Sequence, residues 1–200
     1  MSYPFKPSNQ SPPFFQDHGI DGGEVVNLVA AMHAAKVHRR KFVAGEKAAR
    51  KPDPNVREIV QAPAAVLRTR CEPVLDGVDE SKLQQLAAEL VATMNHHPNC
   101  VGLAANQIGW TARVIAIRSD EFCGVLVNPE IVGTKGEPKT GLPEGCMSLP
   151  GVLVKIARYP IVKVQHAGGR LKFSGMASTI VQHEIDHLDG KLITDYEVKR

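Results

Sequence analysis

Two hundred residues, 43% apolar and 22% charged, suffice for one compact domain with a buried core and an appendage. A net charge of +3 is too mild to imply a nucleic-acid partner, and specific DNA binding is not expected. No apolar run approaches the about 18 residues of a membrane span, MSYPFKPSNQSPPFFQDHG does not read as a secretory signal, and four cysteines without a CxxC pair suit a reducing setting, the cytoplasm or an organellar matrix.

Residues 1–24, rich in Pro, Ser, Gly and Gln, read as an irregular arm. Residues 25–51 are Ala-rich and predict a helix with a basic second half. Its cluster His38-Arg39-Arg40-Lys41 would either touch phosphates or form a solvated face. PDPN at 52–55 breaks the chain. Residues 1–55 are therefore read as an arm, and residues 56–200 as the compact domain. The clearest helix is 79–94, where Leu83, Leu86, Leu90 and Met94 form one apolar stripe. Asp79 or Ser81 can cap its start, and Asn95 with Pro98 stops it. His96 and His97, adjacent on one backbone, make poor joint ligands. Strands are predicted at 113–118, 124–132, 152–157 and 161–166, with His166 expected to be exposed and Gly168-Gly169 forming a hairpin turn. A last helix over 176–189 closes at Gly190. The expected class is α+β, with short, mostly antiparallel sheets packed around a C-terminal metal-binding helix.

That last helix carries His-Glu-x-x-His as His183, Glu184 and His187. Residues i and i+4 share a helix face, so both imidazoles can reach one divalent metal. Glu184 is then placed as a base for metal-activated water. The same residues could also decorate an ordinary amphipathic helix. A metal needs a further ligand, and Ile193 stands where one zinc-protease pattern would continue with a third histidine. Asp189, Asp195 and Glu197 lie too near the helix end or the chain end to fold back. The search therefore moves upstream, to Cys146 in the Gly/Pro-rich GLPEGCMSLPG, 141–151. A free cysteine is as readily a small buried hydrophobe.

Three blocks, CVGLAANQIG (100–109), EGCMSLPG (144–151) and QHEIDHLDG (182–190), resemble in order the three motifs of the peptide deformylase family. The resemblance spans roughly residues 56–196. The sequence departs at Cys100 (usually glycine), Asn106 (usually proline or another small residue) and Met147 (usually leucine); Cys100 could narrow or stiffen the substrate loop. The resemblance implies an enzyme that removes the formyl group from the formyl-methionyl end of new polypeptides. It also implies Fe(II) as cofactor, with Zn, Ni or Co able to substitute. Cys146, His183 and His187 would be the ligands and Glu184 the base and acid. Gln107 and the Met147 N–H would hold the formyl oxygen. Val101 and Gly102 would pair with the substrate backbone, and Arg158 would lie near the substrate chain. Formyl would be preferred over acetyl if Gly102, Leu103 and the Cys146 loop crowd the carbon. Thr179 and Ile180 would wall the methionine pocket. KLITDYEVKR leaves no room for the C-terminal ribosome-docking helix of some members, so the basic N-terminal helix would either supply another contact, such as a transient one to the ribosome, or merely pack on the domain. The rival readings are a zinc peptidase and a catalytically silent ribosome- or peptide-binding relative.

Overall fold

The computed structural model describes residues 53–120 and 122–196. The predicted helix over 25–51, with its basic cluster, lies outside them. Helix α1, Glu80–His96, forms where the apolar stripe places it. Asp79 caps it, accepting from the Ser81 N–H at 3.0 Å, and so satisfies a donor that the first turn leaves open. The buried stripe covers one face of an antiparallel sheet made of β1 (Gly102–Ala104), β2 (Val114–Arg118) and β3 (Cys123–Val127). Successive strand residues point to opposite faces. Leu103, Val114, Ala116, Val125 and Val127 pack in one cluster with the stripe of α1. Ala104, Ile115, Ile117 and Leu126 pack on the other face, in a cluster with Ile180, Val181, Ile185 and Leu188. These last four belong to α2, Gly175–Leu188. Helices on both faces explain why β2 is apolar almost throughout.

The predicted strand 124–132 is two strands. Asn128 has φ of 53°, a conformation Asn tolerates, and Pro129 offers no N–H, so the ladder ends there. The Asn128 amide exchanges two 2.8 Å hydrogen bonds with the Val74 backbone, which anchors the segment before α1. The chain then builds β4 (Glu130–Lys135), β5 (Lys139–Thr140), β6 (Glu144–Cys146), β7 (Leu149–Val154), β8 (Ala157–Arg158), β9 (Ile161–His166) and β10 (Gly169–Ser174). A second antiparallel sheet runs β10–β9–β4, while β5 pairs with β8 and β6 with β7. The strand expected over 152–157 is thus divided between β7 and β8. Val162, Val164 and Phe173 of the second sheet close the core beneath α2.

His166 corrects an expectation. It is 4% exposed, because it shares the inward parity of Val162 and Val164 on β9. Its Nδ1 accepts from the Gly168 N–H at 3.1 Å, inside the predicted hairpin turn. Helix α2 ends as expected, with Gly190 at φ of 74°. A side chain at Gly190 would also collide with the Arg68 carbonyl, 2.5 Å from the Cβ position. Among the described residues, no helix is long and apolar enough to cross a membrane.

Candidate metal centre

One face of α2 brings the His183 and His187 rings to 4.9 Å between centroids. Cys146 ends β6, where the pairing with β7 shifts register between Gly145 and Cys146. Its Sγ lies 3.2 Å from Nε2 of His187. One ligand atom from each of Cys146, His183 and His187 falls within 4.8 Å of the others. A soft sulfur and two imidazoles at that separation suit a first-row divalent cation. Burial disfavours a proton on His183, yet the Cys146 and Glu144 partners outweigh it and hold its pKa at about 10 in the metal-free protein. Burial and the neighbouring His183 push His187 down to about 3. A cation bound here would displace the proton that His183 holds in its absence.

Residues missed in the sequence reading brace these candidate ligands. Glu144 accepts from Nδ1 of His183 at 2.9 Å and from Nε and an Nη of Arg158 at 2.8 and 3.0 Å. The Arg158 guanidinium also reaches Asp186 at 2.5 Å and stacks 5.0 Å over the Tyr196 ring. Against the cost of burial, His183 and Arg158 hold Glu144 below the usual carboxylate range. Its signal was available: Glu144 stands two residues before Cys146 on one strand, hence on the same face. Arg158, expected near the substrate chain, is 7% exposed and turned inward on these carboxylates.

Glu184 is 4% exposed, and its Oε2 has no hydrogen-bond partner. Burial raises its pKa to about 7, partly countered by His183. Gly102 explains how so large a group fits, since a Cβ there would stand 2.3 Å from Oε1 of Glu184. Leu103, expected to crowd the substrate carbon, points the other way; it is 0% exposed and packs toward α1. Val101 is 47% exposed at the start of this strand. The Cys100 thiol donates to the Gly102 carbonyl at 3.0 Å, and burial pushes its pKa up to about 12.

Gln107 sits in a 3-10 turn, Ala105–Ile108, with Oε1 accepting from the Ala104 N–H at 2.9 Å. That bond aims Nε2 at Ser148 Oγ, 3.2 Å away, and at Cys146 Sγ, 3.8 Å away. The segment just before residue 63 ties this turn to the cysteine loop. The Val60 N–H donates to the Gln107 carbonyl and the Ala62 N–H to Ser148. Gln61 Nε2 donates to the Met147 carbonyl at 3.1 Å. Thr179 is half-buried one helical turn before His183, and Ile180 lies in the core cluster with Phe173.

The polypeptide deformylase family profile matches residues 56–200. The chain belongs to the polypeptide deformylase family. A peptide deformylase of Dictyoglomus thermophilum is 40% identical over 149 residues, covering 72% of this chain and 94% of that protein. The crystal structure of a Thermotoga maritima peptide deformylase superposes with a TM-score of 0.63 at 34% identity, over 70% of this chain and 96% of that one. A Met-Ala-Ser-bound class I type b deformylase of Acinetobacter baumannii gives 0.63 at 33% identity, over 70% and 97%. The α+β architecture is that of the family. The protein is a deformylase, a metal-dependent hydrolase that removes the N-formyl group from formyl-methionine at the start of polypeptides. Neither rival reading finds support among these relatives.

Proposed function

We propose that this deformylase works through Glu184 as proton carrier, with Cys146, His183 and His187 holding the metal. The observation that carries this reading is the buried, unpartnered Oε2 of Glu184 beside the three converging donors. A divalent cation on these ligands would polarise the formyl oxygen and acidify water. Glu184 takes a proton from the attacking water and delivers it to the leaving amine, so the formyl C–N bond breaks into formate and a free α-amine. Nε2 of Gln107 and the Met147 N–H face the oxygen where negative charge develops. Gly102 leaves the room that Glu184 fills, and Val101 at the exposed strand edge offers backbone to the peptide. Thr179 and Ile180 wall the methionine side chain. Arg158 serves through Glu144 rather than through the substrate. Binding of a peptide such as Met-Ala-Ser by a relative fits this layout.

For the metal we propose Fe(II), with Zn, Ni or Co as substitutes, because a thiolate beside two imidazoles accepts any of them. Such an iron site would be oxidation-sensitive. Buried free cysteines fit a reducing cytoplasm or organellar matrix. Residues 1–55 are proposed as an arm separate from the catalytic domain, with the basic cluster meeting the ribosome. Unchanged ribosome binding after deletion of 1–55 would end that last idea. The central test is anaerobic formate release from formyl-Met-Ala-Ser with Fe(II), using Glu184→Ala as control. A metal-loaded wild type that releases no formate would overturn the reading.

A further inference from the structure

The two helix histidines differ at their outer ring nitrogens. Nδ1 of His183 rests on Glu144 at 2.9 Å. Nδ1 of His187 is buried without a hydrogen-bond partner, while Nε2 of the same ring lies 3.2 Å from Cys146 Sγ. A histidine that binds metal through Nε2 carries its proton on Nδ1, and a buried N–H without an acceptor bears the full penalty of lost hydration. Among the described residues, the only other buried side-chain atoms without a partner are Glu184 Oε2 and Asn106 Oδ1. The first belongs to the proton-carrying carboxylate. The second belongs to a fully buried amide that already lies against His187, with Nδ2 donating to the His187 carbonyl at 2.5 Å.

We propose that Asn106 is a positioning residue of the metal centre, its Oδ1 accepting the Nδ1 proton of His187 and so turning Nε2 toward the metal. Oδ1 shares a carbon with the Nδ2 that touches the His187 carbonyl, so both orphaned atoms belong to residues already in contact. Asn106 then does for His187 what Glu144 does for His183, with a neutral group in place of a carboxylate. The inference rests on the reading of Cys146, His183 and His187 as ligands.

The test measures Zn(II) affinity by chelator competition on the full chain, for wild type, N106A, N106D and C146S. N106A is expected to bind about 10–100-fold more weakly, the usual loss when a ligand's outer partner is removed. N106D keeps the acceptor but loses the donor to the His187 carbonyl, and is expected to stay near wild type. If Asn106 only braces the helix through Nδ2, N106D will be as weak as N106A, and the proposal falls. It falls equally if N106A binds like wild type. A wild type that binds no better than C146S would overturn the ligand reading beneath it. Nitrogen-15 NMR of the zinc-loaded protein supplies a readout that needs no folded N106D. A slowly exchanging His187 Nδ1 proton in wild type, exchanging fast in N106A, is expected; an identical signal in both overturns the proposal.

Discussion

Two glutamates lie buried on opposite sides of the first sheet, and they behave in opposite ways. Glu89 on α1 accepts from Arg57, from Gln85 Nε2 at 2.9 Å and from Trp110 Nε1 at 2.9 Å. Its hydrogen bonds, led by the one from Arg57, overcome burial and hold it below the usual carboxylate range. Glu184 on α2 leaves one oxygen without a partner, and burial raises it to about 7. Both side chains are shielded from solvent, so low exposure alone does not mark the proposed proton carrier. What marks it is the missing partner, which leaves it free to exchange a proton near neutral pH.

The largest effect that sharpens this contrast is expected at Glu184 itself. Glu184→Gln should lower kcat/KM for formyl-Met-Ala-Ser by about 10²–10⁴-fold, with no loss of melting temperature. A variant that melts much earlier would show Glu184 to be structural, like Glu89. Gly102→Ala should come next. Its methyl would stand 2.3 Å from Oε1 of Glu184, and a misplacement of about 1 Å can cost about 10²-fold in rate. The collision is with a side-chain end, so the variant should still fold and bind zinc; full activity would show that Glu184 does not need this position. Glu89→Ala should do the reverse, leaving kcat unchanged while the orphaned Trp110 N–H and its neighbours cost about 1–3 kcal/mol of stability in urea melts.

The smallest effect is one of pH on the metal-free protein. Glu89 has a folded pKa below its unfolded one, so its contribution is present above the unfolded value and is lost as the pH falls through the folded one. Glu184 is raised to about 7, so its contribution is present below the unfolded value and is lost as the pH climbs toward 7. Glu184→Gln should therefore flatten the decline in stability between about pH 4.3 and pH 7, and Glu89→Gln should flatten the acid limb. Urea titrations across that range would show it, and parallel curves for wild type and Glu184→Gln would refute the assignment.

Much of this was legible in one dimension, though not all for the same reason. The α1 stripe and the Asp79 cap follow from helical spacing, and the His183–His187 pair from i, i+4 geometry. His166 misled because its strand parity was assigned to the wrong face. The ion pairs of Arg158 were not readable, because Glu144 and Asp186 stand well away from it in the chain. The break at Asn128 was readable in Asn-Pro, but the change of sheet that follows it was not.

By itself, the sequence determined the kinds of element, the candidate histidine pair and the family, because these depend on residue identity and on spacing along one element. Only the tertiary structure decided which carboxylate is braced and which is left free. Arg57 and Trp110 stand far from Glu89 in the chain, as Gly102 does from Glu184. Partnership of that sort is a matter of distance in space, and a few ångströms separate a held carboxylate from a free one.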